Sequence, residues 1–179
     1  MKKYVAFLRG INVGGKTIKM DKLKGLFESL GFKNVKTILN SGNVIFEAPA
    51  KDTETLTRRI EDALSKAFSF EIDVVLRTYE QIIPLIESMP FKSVKVTSDT
   101  RLYVTFISDA DKHELKMPYT PKEMSFKVIA LKDGSIFSVL TLSPNTGTVD
   151  LMDFLSKEFG KKITTRNWNT IEKVRKALE

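Results

Sequence analysis

The sequence contains no cysteine, a single histidine and a single tryptophan. The first absence removes disulfides, iron-sulfur clusters, thiolate zinc sites and thiol nucleophiles together. One histidine, His113, allows at most one Ser-His-Asp centre, and no G-x-S-x-G elbow accompanies it. Long apolar runs are missing as well. The strand-like stretch Tyr4 to Leu8 is halted by Arg9, short of the roughly 7 to 15 residues of a secretory h-region. Nothing reaches the ~20 residues of a membrane span. The expected address is therefore the cytoplasm, with no membrane partner.

What remains is an ordinary globular composition: 179 residues, 42% hydrophobic and 28% charged. That length holds one large domain or two small ones. Lys and Arg number 29 against 22 Asp and Glu, a formal net charge of +7. The excess gathers only near the end, where Lys157, Lys161, Lys162, Arg166, Lys173, Arg175 and Lys176 outnumber Glu158, Glu172 and Glu179. Such a patch could attract phosphates or acidic partners, but a helix with lysines on its wet face is the commoner explanation.

Hydrophobic spacing supplies the element order. Residues 4–8 read as a strand, followed by helical spacing at Met20, Leu23, Leu26, Phe27 and Leu30 that Gly31 stops. Val35 to Leu39 and Val44 to Ala48 flank Asn40-Ser41-Gly42-Asn43, a tight-hairpin cluster. A second amphipathic helix through Leu56, Ile60 and Leu64 leads to a strand at Ile72 to Leu76. The first half thus spells β-α-β-β-α-β. After a connecting helix, Glu80 to Ser88, which Pro90 would end, the order returns: strand 102–107, short helix Asp111 to Lys116, a hairpin about Asp133-Gly134, helix 149–159, and a short strand at Ile163-Thr164. No residue-level repeat stands out between the halves. The expectation is an α+β chain of two ferredoxin-like subdomains with antiparallel sheets, residues 1–79 and 101–165, joined by 80–100 and closed by a C-terminal helix in 166–179. In that helix Asn169 and Glu172 are spaced as a capping pair.

Gly10 to Thr17 satisfies G-x-x-x-x-G-K-T and follows a strand. A phosphate-binding loop also needs a helix starting at its Lys-Thr and a parallel sheet with a magnesium-positioning Asp. Here helical spacing starts nearer Met20 and the second strand turns into a hairpin. The segment is expected to be a Gly-rich ligand loop or a structural connection rather than a nucleoside triphosphatase.

Three segments stand out together: Phe7-Leu8-Arg9-Gly10-Ile11-Asn12-Val13-Gly14-Gly15, Ser41-Gly42-Asn43-Val44, and Thr164-Thr165-Arg166-Asn167-Trp168-Asn169-Thr170. With them the chain closely resembles, over nearly its whole length, a bacterial family catalogued as domain of unknown function 1697. The resemblance implies two ferredoxin-like subdomains in one α+β unit. It also implies that Lys16-Thr17 is no fixed part of the family pattern. It brings no catalytic residues.

Other chemistry is thinner. Asp109, Asp111 and His113 alternate, and an extended chain would point all three the same way toward a metal, yet a solvated polar loop explains them more cheaply, so no metal and no cofactor is expected. Glu61 and Asp62 point to different sides of a helix. The β-α-β-β-α-β order is also the RNA-recognition architecture, with Tyr4, Phe7 and Phe46 as stacking candidates, but the Lys/Arg-Gly-aromatic signature is missing. By fold analogy alone, acylphosphatases hold phosphate in the loop after the first strand with an Arg and an Asn, matched in type by Arg9 and Asn12. The favoured function is binding of a small phosphate- or carboxylate-bearing ligand at one sheet edge, by Arg9, Asn12, Gly14, Gly15, Ser41, Asn43, Arg166, Asn167 and Trp168. A nucleic-acid-binding or protein-interaction module is the alternative, and whether the chain is an enzyme stays open.

Overall fold

The computed structural model describes residues 1–49, 51–108 and 115–179. Its chain order is β1 (Lys2–Leu8), α1 (Met20–Ser29), β2 (Lys33–Ile38), β3 (Asn43–Ala48), α2 (Thr53–Phe68), β4 (Val74–Thr78), α3 (Tyr79–Glu87), β5 (Thr100–Ile107), β6 (Phe126–Lys132), β7 (Ser135–Thr141), α4 (Thr148–Phe159), β8 (Ile163–Asn167) and α5 (Trp168–Leu178). Two four-stranded sheets form, in the orders β2-β3-β1-β4 and β6-β7-β5-β8, with every pairing antiparallel. Both orders are those of the split β-α-β-β-α-β unit. The chain divides into one compact unit of Met1–Glu87 with Glu172–Glu179 and a second of Ser88–Ile171. Among the described residues no helix is long and apolar enough to cross a membrane.

In the first unit Tyr4, Ala6 and Leu8 of β1 alternate with Val5 and Phe7, and the first set joins Leu23 and Phe27 of α1 and Leu56, Ile60 and Leu64 of α2 in the core. Period two on the strand and three to four on the helices make these faces meet. Four rings knit the centre: Tyr4 on Phe46 at 5.5 Å, Phe46 on Phe32 at 4.5 Å, and Phe27 edge-on to both. Asp52 starts α2 by accepting the Thr55 N–H at 2.8 Å. The second unit repeats this plan with Phe126, Val128, Ile136 and Leu140 packed on Leu151, Leu155 and Phe159 of α4.

Three expectations need correction. The last strand does not stop at Thr164: β8 extends to Asn167, pairs with Tyr103–Ile107 of β5, and α5 starts at once with Trp168. The strand forms because its β-branched residues find a partner, sealed by a Thr105–Thr165 hydroxyl contact of 2.7 Å. The cap of α5 is Asn167, whose Oδ1 accepts the Asn169 N–H at 2.9 Å, and not Asn169. Of the short helix expected at Asp111 to Lys116, residues 111–114 lie outside the described residues, and Leu115 and Lys116 are not helical.

A residue-level repeat exists after all, and register reveals it. Leu8 pairs with Val74 and Val5 with Arg77 in the first sheet; Ile107 pairs with Ile163 and Val104 with Arg166 in the second. Tyr4-Val5-Ala6-Phe7-Leu8 therefore superposes in role on Tyr103-Val104-Thr105-Phe106-Ile107, and Arg77-Thr78-Tyr79 on Arg166-Asn167-Trp168. Backbone bonds repeat as well: Leu8 N–H to Gly42 O at 2.8 Å corresponds to Ile107 N–H to Gly134 O at 3.0 Å.

Candidate functional site

The segment after β1 is a tight, exposed excursion. Gly10, Asn12, Gly14 and Gly15 all have positive φ, at 66°, 55°, 57° and 85°. Asn12 N–H donates to Lys16 O at 2.6 Å and Lys16 N–H to Val13 O at 3.2 Å, which closes a small hairpin with Gly14 and Gly15 at its tip. Asn12 is the clamp. Its Oδ1 accepts the Ile18 N–H at 2.8 Å, and its Nδ2 donates to Asn40 O at 2.5 Å. Asparagine suits this position because its short amide tolerates the left-handed region while bonding nearby backbone.

The same bonds join the loop to the β2–β3 hairpin. Gly42, at φ 75°, lies so close to Leu8 and Ile11 that a Cβ there would stand 2.6 Å from Ile11 Cδ1. Asn43 is fully buried and its Nδ2 donates to Ile38 O at 2.7 Å and Ser41 Oγ at 3.0 Å, which fixes the turn from inside. Arg9 and Gly14-Gly15 thus sit on a loop braced by the Ser41–Asn43 hairpin.

Charge at the loop is mixed. Arg9 Nη1 stands 3.6 Å from Asp73 Oδ2, both side chains partly exposed, and the Arg9 N–H donates to Asp73 O at 2.9 Å. Lys16 reaches over the Phe70 ring, 5.2 Å from its centroid. The amides of Gly14 and Gly15 meet no acceptor among the described residues. The nucleotide-loop geometry is not formed: the helix begins at Met20, the sheet is antiparallel, and the Lys16 backbone is folded back on Val13 and Asn12.

Arg166, Asn167 and Trp168 belong to the second unit. Arg166 is only 7% exposed, and burial pushes its pKa down to about 10. Its Nη1 donates to Thr164 Oγ1 at 2.7 Å and Thr165 O at 2.9 Å. Trp168 packs edge-on to Phe91 at 5.1 Å and to Phe137 at 6.4 Å. Arg77, at the matching position of the first sheet, is likewise driven down to about 10 by burial, a pairing that sequence reading missed. The rings of Tyr4, Phe7 and Phe46 are fully buried and present no face for stacking a base. Asp109, Asp111 and His113 lie outside the described residues, and among those described no three His, Asp or Glu stand together to hold a metal ion.

Residues 1–137 match the model of a family described as "Protein of unknown function (DUF1697)", and the chain belongs to that family. A conserved bacterial protein from Streptococcus pneumoniae, SP0830, has the same fold: TM-score 0.74 over 99% of this chain and 98% of that one, at 21% identity. No curated protein matches the chain in sequence.

Proposed function

We propose that this family member binds a small phosphate- or carboxylate-bearing anion on its Arg9–Gly15 loop, beside the Ser41–Asn43 hairpin. The observation that carries this is the pair of exposed amides at Gly14 and Gly15, set on left-handed backbone with Lys16 following. Successive amides exposed at the tip of a tight turn make a concavity suited to an anion. The Asn12 clamp holds them in place before any ligand arrives, so little ordering cost falls on binding. Arg9 adds a planar fork for two oxygens. Its ion-pair partner Asp73 is half-exposed, and a pair of that kind is worth at most about 1 kcal/mol. Asn12 and Asn43 serve as frame, their amides being spent on the loop and the hairpin turn. Nothing at the loop is set up as a nucleophile or a base, which favours binding over turnover.

Titration of isotope-labelled protein with inorganic phosphate and pyrophosphate, followed by amide NMR, tests this. Saturable shifts at Gly14 and Gly15 are expected, weakened about tenfold by Lys16→Ala and by Arg9→Ala. The Arg9→Ala melting temperature should move by no more than about 3 °C, as suits a half-exposed pair. Shifts scattered over surface lysines with none at the two glycines would reject the proposal.

A further inference from the structure

We infer that the second unit carries a separate groove for an amphipathic anion, a small molecule with an aromatic or acyl body and one carboxylate, sulfonate or phosphate. The groove has a volume of about 740 Å³, and its described lining residues all belong to that unit. Drug-sized ligand sites fall within roughly 300 to 1,000 Å³. It lies against the β6–β7 ribbon, on the face turned away from α4, where Lys127 pairs with Val139. The register shifts between Val128 and Ala130, a bulge on an edge strand. Bulges re-aim side chains, and this one brings Ile129 and Ala130 both to the groove wall.

Its chemistry is graded. Pro90, Val94, Met124, Ile129, Phe137 and Val139 supply the apolar surface, and Ser88, Ser125 and Thr141 contribute hydroxyls. Among the described residues Lys127 and Lys132 are the charged lining residues, and no described Asp or Glu joins them. An apolar body therefore gains burial while a single negative charge meets two cations, with no competing carboxylate among the described lining residues. A neutral ligand would use only half of this, and a cation would be repelled. Phe137 forms part of the floor and touches Phe91 at 5.9 Å and Trp168 at 6.4 Å, ring centre to ring centre. Trp168 is the single tryptophan of the chain, so a fluorescent reporter stands one ring behind the groove wall, against Phe137.

The probe is 8-anilinonaphthalene-1-sulfonate, with uncharged N-phenyl-1-naphthylamine as its partner. One-to-one saturable binding of the sulfonate with energy transfer from Trp168 is expected, the neutral probe binding about tenfold more weakly. The exposed double substitution Lys127→Gln with Lys132→Gln should bring the two probes to equal affinity at unchanged melting temperature. Met124→Glu, at an exposed position, should weaken the sulfonate further than the neutral probe. Non-saturable binding, equal affinity of the two probes for the unaltered protein, or sulfonate affinity indifferent to all three substitutions would overturn the inference. So would sedimentation showing a dimer that the Lys127 and Lys132 changes dissociate, since a second copy would then be the occupant. The phosphate titration at Gly14 and Gly15 is a separate readout, and either result stands without the other.

Discussion

At Gly42 two constraints fall on one atom. The backbone is left-handed, and a methyl group would meet Ile11 Cδ1 at 2.6 Å and Leu8 Cβ at 2.9 Å. The first costs about 1 to 2 kcal/mol and the second adds about 1 to 3 kcal/mol of overpacking. Gly15 has φ 85° with nothing within 4 Å, so only the first penalty applies. Gly42→Ala should therefore lower stability by about 3 kcal/mol in urea unfolding and Gly15→Ala by about 1 kcal/mol. Equal losses would mean that the loop does not press on the hairpin. The same distinction separates frame from proposed binding surface: the tip can change at small cost to the fold, whereas its anchor cannot. Arg9 and Arg166 divide similarly, one half-exposed beside Asp73, the other buried within the second sheet. As residue types they are indistinguishable in the sequence; burial, which depends on distant strands, assigns them different roles.

At the level of elements, α2 shows how one terminus responds to pH. The Thr55 N–H first, and then its hydroxyl, holds the Asp52 carboxylate below its ordinary 3.8. A folded pKa depressed in this way gives stability that is fully present above the unfolded value and fades as pH falls through the folded one. Asp52→Ala should thus lower the urea midpoint at pH 7, with the gap to the unaltered protein narrowing as pH falls below 3.8 and the carboxylate takes up its proton. A gap that persists there would mean that the cap acts through something other than its charge. The helices α1 and α2 and the hairpins were legible because their spacing is local: Leu23 with Phe27, and Leu56, Ile60 and Leu64. Of β8 only Ile163-Thr164 was legible, since Thr-Arg-Asn has little pattern of its own and takes its form from β5. The internal repeat escaped notice because the spacing drifts: Tyr4 to Tyr103 spans 99 positions, Gly42 to Gly134 spans 92, and Arg77 to Arg166 spans 89. A fixed period cannot align them, but hydrogen-bond register can. Topology alone put the first loop beside the Ser41–Asn43 hairpin. The 28-residue bond from Asn12 to Asn40 that turns this neighbour into a frame lay beyond any local signal.

Across the whole molecule, the chain ends in the unit where it begins. α5 opens with residues of the second unit, yet Glu172–Glu179 belongs to the first. In this last stretch Val174 and Leu178 are buried at 0% and 2% exposure. Lys3 Nζ donates to Leu178 O at 3.0 Å and Lys36 Nζ to Ala177 O at 3.2 Å, which sets two cations on the carbonyl end of the helix. Burying two such side chains is worth about 3 to 6 kcal/mol, and the helix-end lysines add about 0.3 to 1 kcal/mol each. A domain holds about 5 to 15 kcal/mol in all, so this segment accounts for a large share. A chain ending at Ile171 should lose hydrogen-exchange protection in β1 and β3 while β5 and β7 keep theirs, because the second unit retains its own core of Ile136, Leu140, Leu151 and Leu155. Leu178→Ala should reproduce the loss in part, by about 2 to 3 kcal/mol. Protection falling equally in both sheets would mean that the two units unfold as one and that the last turns of α5 stabilise the chain as a whole.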